Sequence, residues 1–447
     1  MRTRPGRSTT RLTLMIVISG LLLALICRDV PWAVEGGGIQ QRVAPSTIAK
    51  QLAKEEEKLR GTFERDLVAL RAQPEDWEER LQSVVKRAVG LLAEFQFKDW
   101  QGEELFALSA LYFFAEDWAR SLEGFRKFLA EPAENGKDEE WENSRPRADA
   151  RFRVVRALIE LNRVEEAAKA LVEVDQVDTS SPALLGARVL LHRDLAIAYR
   201  NLGDLPKAAR QAIAGFEIGR RISPREIPDQ SREVRDFETA RLAATAVALL
   251  ERVDQKKVAD DLQRRWRAMA RGRSAQAETT YDEELTIQRL IGRPAPEIEA
   301  RVWIDPPPLT STALRGKVVL LYFWAMWNTS STSQFDRLKQ WQSEFKERGF
   351  EVVGVTRLFG RSEREAGLTA TAELKSLEAF RTSAGIGFPF AVAGQDDPTN
   401  DERFNAAVLP MLVLIDRQGT IRRIDRGAPV RGYRGLYDEI ARLTTLR

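Results

Sequence analysis

Gly316-Lys317-Val318-Val319-Leu320-Leu321-Tyr322-Phe323, followed at once by Trp324-Ala325-Met326-Trp327-Asn328-Thr329-Ser330-Ser331, is the stretch on which the reading of this chain turns. Its first half is a short apolar run rich in β-branched and aromatic residues, bounded by a Gly and a polar cluster, which suits a buried parallel strand. Its second half is a polar turn. Beyond it Phe335, Leu338, Trp341 and Phe345 recur at helical spacing. Strand, exposed turn and helix N-terminus together make the place where a thiolate of depressed pKa normally sits.

Working outward, Gly292-Arg293-Pro294-Ala295-Pro296 lies upstream. Downstream, Val408-Leu409-Pro410 precedes an apolar run Met411–Ile415, and Asp416-Arg417-Gln418-Gly419 marks a hairpin turn before Thr420–Ile424. In this order the motifs resemble those of the TlpA-like thiol–disulfide oxidoreductases, within the broader AhpC/TSA and thioredoxin-like superfamily. There the stretch reads Gly-Lys, an apolar strand, then Phe-Trp-Ala-x-Trp-Cys-x-x-Cys. The resemblance covers roughly 291–447 and implies an α/β thioredoxin fold with Pro410 as the cis-proline beside the site. The two Cys positions fall on Asn328 and Ser331.

The chain holds one cysteine, Cys27, inside an apolar N-terminal run. Dithiol exchange needs a thiolate and a second thiol to resolve the mixed disulfide. Neither an amide nor an unassisted Ser hydroxyl replaces them. A hydrolytic Ser330 or Ser331 would want a base, and the chain's one His, His192, belongs to another region. The expectation is a thioredoxin fold with no catalytic residue and without redox activity. Its alternative is an oxidoreductase family member, acting in cell redox homeostasis, whose thiols come from a partner.

At 447 residues the chain has room for two or three domains, each with its own core. Lys+Arg number 69 against Asp+Glu 66, and the first 27 residues hold four Arg and no acid, so 65 bases face 66 acids in the rest. That balance leaves no electrostatic footprint for nucleic acid. Arg2, Arg4, Arg7 and Arg11 followed by apolar Leu12–Cys27 are the pattern of a secretory signal. The run is short of the roughly 20 residues of a membrane span. Residues 1–36 are therefore read as a signal peptide or membrane anchor, and the protein as exported to the periplasm or cell envelope. A lipid-anchored Cys27 is disfavoured by bulky Ile26 before it. An exported fold without paired cysteines is held by packing alone.

Residues 45–270 are helical in pattern, with sparse Gly and Pro. The first piece, Ser46 to about Ala72, is highly charged with a thin apolar stripe, and reads as a solvated stalk or an ordinary surface helix. Leu195-Ala196-Ile197-Ala198-Tyr199-Arg200-Asn201-Leu202-Gly203-Asp204-Leu205-Pro206-Lys207-Ala208 looks like a tetratricopeptide repeat, with small residues where two helices cross. Val154–Ala167 and Leu108–Ser121 follow the template less strictly, and a fourth pair around Ala240–Met269 is weaker. The array reads either as a concave surface for protein or peptide, or as a spacer. Residues 271–290 read as a polar linker. The fold class is thus multidomain: an all-α, tetratricopeptide-like region followed by an α/β thioredoxin fold.

For binding, Trp327, Leu409, Pro410 and Met411 are the candidates, because a cis-proline exposes backbone that pairs with an extended peptide. Trp324 and Trp327 divide between core and surface, with Trp327 the more exposed. The Asn328–Ser331 turn either caps its helix or holds an anion. Asp396, Asp397 and Asp401 cluster in a polar loop as candidate cation ligands. No metal cluster and no cofactor is expected. The partners expected are a protein or extended peptide, and a membrane through the N-terminal segment.

Overall fold

The computed structural model describes residues 44–68, 84–85, 87–92, 95–132, 144–176, 182–222, 229–273, 275–304, 314–362, 365–395, 397–427 and 434–445. The N-terminal apolar run and Asp396 lie outside them. The described residues form two compact units, one running to Leu285 and the other from Thr286.

The first unit is helical throughout: α1 (Pro45–Val68), α2 (Gly102–Phe114), α3 (Trp118–Ala130), α4 (Arg145–Glu160), α5 (Val164–Gln176), α6 (Pro182–Asn201), α7 (Leu205–Arg221), α8 (Asp229–Arg252), α9 (Lys256–Ala270) and most of α10 (Ala275–Leu290). α1 is no free stalk. Ile48, Ala49 and Leu52 are buried in the helical core, and the Glu104 carboxylate of α2 accepts the Ser46 N–H at 2.9 Å, supplying the cap that Ala44 lacks.

One turn geometry joins four helix pairs. Glu116, Asn162, Gly203 and Asp254 all have left-handed φ, from 57° to 83°. After each, a backbone N–H closes a six-residue loop: Asp117 to Tyr112 O, Arg163 to Leu158 O, Asp204 to Tyr199 O and Gln255 to Leu250 O, at 2.8–3.0 Å. This hydrogen bond satisfies an orphan carbonyl at the helix end. Only the third turn carries Gly at the left-handed position, so that pair stands out in the sequence. The fourth pair, weak by pattern, is a well-packed hairpin with Leu262 and Trp266 buried.

Arginines tie successive pairs. Arg147 at the start of α4 donates to Leu129 O (2.6 Å) and Glu131 O (3.3 Å) at the end of α3, and Arg188 in α6 donates to Val174 O (2.7 Å) at the end of α5. Ion pairs Arg156–Asp194, Arg193–Glu238 (3.0 Å) and Arg241–Glu284 (3.3 Å) then link α4 to α6, α6 to α8 and α8 to α10. Burial opposes the charge of Arg193, but the carboxylates of Asp194 and Glu238 outweigh it and raise its pKa. His192 is buried, with Nδ1 2.8 Å from Gln211 Oε1 and Nε2 3.3 Å from Asp175 Oδ1, as a packed helix residue.

The polar linker expected over 271–290 is instead mostly helix α10. Ala277, Tyr281 and Leu285 are buried, together with the polar Thr280 and Glu284, and Tyr281 stacks on Trp266 at 5.3 Å between ring centroids. The composition looks polar because only one stripe of the helix is apolar.

The second unit is a six-stranded sheet: β1 (Val302–Ile304), β2 (Val318–Phe323), β3 (Phe350–Arg357), β4 (Phe390–Ala393), β5 (Met411–Ile415) and β6 (Ile421–Arg426), in the order β1-β4-β3-β2-β5-β6. β2, β3 and β4 run parallel, and β5, β6 and β1 pair antiparallel to their neighbours. Central β2 is buried at every residue. Val318, Leu320 and Tyr322 face one core with Phe335, Leu338 and Phe345 of α12 (Phe335–Phe345) and Ile440 of α15 (Arg434–Thr445). Val319, Leu321 and Phe323 face the other with Ile287, Ile291 and Phe404. A strand covered on both faces reads as the unbroken apolar run that the sequence shows. α11 (Thr329–Thr332) follows β2, α13 (Ala370–Ser383) lies between β3 and β4, and α14 (Thr399–Phe404) precedes β5.

Candidate functional site

At the C-terminal end of β2 the chain turns through Trp324–Asn328 into α11. Trp324 is core, 1% exposed, packed on Phe335 (4.7 Å between centroids) and Phe390 (5.0 Å). Its carbonyl accepts the Thr356 hydroxyl at 2.8 Å. Gly354 beneath is a steric requirement, because a Cβ there would stand 2.6 Å from the Phe390 ring and 3.2 Å from Trp324 Nε1. Trp327 is half-buried, so the two tryptophans divide as the sequence reading expects.

Asn328 is the N-cap of α11: its Oδ1 accepts the Ser331 N–H at 3.1 Å. Its Nδ2 donates to Leu409 O at 3.3 Å, on the loop before β5. Ser331 is fully buried. Its carbonyl accepts the Tyr322 hydroxyl at 2.6 Å, while its own Oγ has no partner. The Leu409–Pro410 peptide is cis. Asn328 and Ser331 therefore stand one helical turn apart beside a cis-proline, offering an amide and a sealed hydroxyl. The turn is capped as one reading expects, but by the Asn328 amide and not by its Ser or Thr hydroxyls.

Of the four residues proposed for binding at the rim of this turn, Trp327 and Leu409 are half-buried and are linked by way of the Asn328–Leu409 hydrogen bond, while Pro410 is buried with its carbonyl accepting the Gly427 N–H at 2.7 Å. Met411 is not exposed either. It is wholly buried in the core with Phe323 and Phe404, because as the first residue of β5, paired to Phe323 on β2, it turns its side chain inward. Leu409 also leans partly into that core, so what it presents at the rim is backbone.

Four residues of the neighbourhood went unrecognised in the sequence. Phe359 packs edge-on against Trp327 at 5.7 Å between centroids, and the Arg361 guanidinium lies 4.3 Å over the Trp327 ring. Arg357 lies 4.3 Å over the Phe359 ring and pairs with Asp401 at 3.0 Å. Glu373, 2% exposed in the first turn of α13, accepts the Phe359 N–H (2.9 Å) and Gly360 N–H (2.7 Å). These contacts join residues 30 or more positions apart to the Trp327 turn. A Phe-Gly-Arg triplet after a strand was the one local hint.

Asp397 and Asp401 have other work than holding a cation. Asp397 Oδ1 accepts the Thr399 N–H at 3.1 Å, and hydrogen bonds from Thr399 keep its carboxyl below the usual range. Burial raises the Asp401 carboxyl, with the Arg357 pair acting against that rise. Among the described residues no group of three His, Cys, Asp or Glu side chains is placed to hold a metal, and no helix is long and apolar enough to cross a membrane.

Residues 291–424 match the AhpC/TSA family. Protein DipZ of Mycobacterium bovis is 27% identical over 128 residues, which is 28% of this chain and 17% of DipZ. The chain thus matches less than a fifth of the length of that curated relative. Among solved structures, a thioredoxin-family thiol:disulfide interchange protein from Chlorobium tepidum TLS is similar at 22% identity, over 34% of this chain and 97% of its own, with a TM-score of 0.27. A thiol:disulfide interchange protein from Bacteroides sp. is 20% identical, over 35% and 91%, also with a TM-score of 0.27. Family match and strand order together make the C-terminal unit a thioredoxin-like domain of the AhpC/TSA kind.

Proposed function

We propose that this protein is a non-catalytic binding factor of the cell envelope, in which the thioredoxin-like unit holds protein or extended peptide at the Trp327–Leu409–Pro410 rim. The observation that carries the proposal is the occupancy of the dithiol positions: Asn328 caps the helix and Ser331 is sealed beneath it, in a chain whose one cysteine is Cys27. Without a thiolate no mixed disulfide forms. A cis-proline loop remains, but its Leu409 and Pro410 carbonyls already accept from Asn328 and Gly427, so in this reading the half-buried Trp327 surface, more than backbone pairing, holds the peptide. Fold alone does not carry the redox chemistry of relatives.

In the same reading the helical unit is a tetratricopeptide-like array. Its four like-built turns and the fully buried small residues Ala167 and Ala208 on α5 and α7 support it. The basic and then apolar N-terminus supports export, with the segment cleaved as a signal or kept as an anchor.

The second reading, an oxidoreductase subunit with partner-supplied thiols, is favoured by the AhpC/TSA match. One experiment separates the two. The immobilised full chain is exposed to envelope extract with and without dithiothreitol, and insulin-disulfide reduction is followed in parallel. Binding expects a partner retained equally in both conditions, lost on Trp327→Ala, and no reduction of insulin. Reduction that appears when a dithiol protein from the extract is added back would move the assignment to the second reading.

A further inference from the structure

Two rows of ion pairs run along the helical unit. The first helices of successive pairs are joined by Arg156–Asp194, Arg193–Glu238 at 3.0 Å and Arg241–Glu284 at 3.3 Å, which carry α4 to α6, α6 to α8 and α8 to α10. The second helices have a row of their own. Arg126 of α3 pairs with Glu166 of α5 at 3.2 Å, Glu165 of α5 with Lys207 of α7 at 2.7 Å, and Glu217 of α7 with Arg265 of α9 at 2.6 Å.

The two rows meet water differently. In the first, the side chains of Asp194, Glu238 and Glu284 are only 8–13% exposed. In the second, the acids are 22–63% exposed and the bases 38–47%. Salt therefore acts on them unequally. The screening length falls from about 30 Å at 0.01 M to about 3 Å at 1 M, and it weakens exposed pairs far more than partly buried ones.

Each exposed link is weak. It acts where an array of this kind yields most easily, between one helix pair and the next, because each repeat contacts only its neighbours. On the sheltered side, α4 packs directly on α6 and α6 on α8. Arg147 and Arg188 also pin α4 to the end of α3 and α6 to the end of α5 through uncharged carbonyls. Those bonds leave a pivot in place when the exposed row lets go.

We propose that the helical unit is an array of hinges set by ionic strength. Rising salt releases the α3–α5–α7–α9 row, the α4–α6–α8–α10 row holds, and the second helices of successive pairs move apart. The device lies within the helical unit and does not depend on peptide binding at the Trp327 turn.

The test is a spin-label distance measurement on the full chain carrying Cys27→Ser, with labels on Val172→Cys and Val258→Cys, exposed positions on α5 and α9. Between these labels lie two links of the exposed row, Glu165–Lys207 and Glu217–Arg265. Raising salt from about 0.01 M to about 1 M is expected to lengthen the distance by about 1–2 Å per link, the scale of a helix shift at an interface. With Glu165→Gln and Glu217→Gln added, the distance is expected to be long at every salt concentration and to stop responding. These are surface substitutions, so the fold is kept. A parent distance that stays constant or shortens would overturn the proposal, and so would a lengthening that persists in the double Gln variant.

The sheltered row is tested separately. Arg193→Gln leaves Asp194 and Glu238 without their shared cation and is expected to lower the melting temperature equally at low and high salt. A variant unfolded at both concentrations gives the same answer. A loss that disappears at high salt would show that both rows are screened alike, and would overturn the hinge.

Discussion

The amide of Asn328 bridges two chain segments 81 residues apart: Nδ2 donates to Leu409 O at 3.3 Å while Oδ1 accepts the Ser331 N–H at 3.1 Å. One side chain caps a helix and ties it to the loop that carries cis-Pro410. Asn328→Ala removes both bonds and is expected to lower stability by about 1 kcal/mol, the usual worth of an N-cap. Asn328→Asp keeps the cap acceptor but sets a carboxylate against the Leu409 carbonyl. It is expected to speed hydrogen exchange in residues 406–409 more than in α11. Exchange that rises in neither segment would show that the bridge holds nothing in place.

Glu373 is a buried carboxylate whose ligands are backbone amides. Glu373→Ala leaves the Phe359 and Gly360 N–H groups without their acceptor and should cost roughly 2–3 kcal/mol, in the range for orphaned buried donors. The loss should be local at first. Exchange at residues 358–362 is expected to accelerate before the β2 and β3 amides do, and a uniform change across the sheet would contradict an anchoring role.

Gly354→Ala tests the close approach of strand β3 to the tryptophan platform. The added methyl meets the Phe390 ring at 2.6 Å and Trp324 Nε1 at 3.2 Å, in a core with no slack on that face. Overpacking of this kind costs about 1–3 kcal/mol. A thermal midpoint unchanged from the parent protein would mean that the two rings yield freely.

Asp204 provides a test in pH. It caps α7 through the Lys207 N–H at 3.0 Å, and that backbone bond, ahead of the Lys207 side chain, holds its carboxyl below the ordinary 3.8. A depressed folded pKa means a stabilising contribution that is complete above the unfolded value and lost as pH falls through the folded one. The difference in melting temperature between the parent chain and Asp204→Ala should therefore be constant near neutrality and shrink below pH 3.8. Asp204→Asn, which caps without titrating, should show a gap to Asp204→Ala that does not shrink. A parent gap that persists unchanged to about pH 2 would contradict the assignment of the depressed carboxyl to the cap.

Much of this architecture was legible locally. Val318–Phe323 announces a strand covered on both faces because every residue in it is apolar, and Met411–Ile415 does so with the same bounds in the structure. Gly203-Asp204 marks the one helix-pair turn whose left-handed residue is a glycine, and the pairs that turn at Glu116, Asn162 and Asp254 stand out less because a residue with a Cβ holds that position. The α10 helix was hidden by its composition: a single apolar stripe of Ala277, Tyr281 and Leu285 in polar surroundings reads as linker until Trp266 is seen against Tyr281.

By itself the sequence determined the strands β2 and β5, the helix pairs before the sheet, the absence of a dithiol at 328 and 331, and which of Trp324 and Trp327 is the more buried. These follow from side-chain chemistry and from periodicities of two and 3.6, both properties of neighbouring residues. Tertiary structure decided what the site presents. It sent Met411 into the core, closed Leu409 O with the Asn328 amide, and set Phe359 and Arg361 on Trp327 by way of Glu373. Each of these joins residues separated by tens of positions, and partners chosen through space leave no spacing in the chain to read.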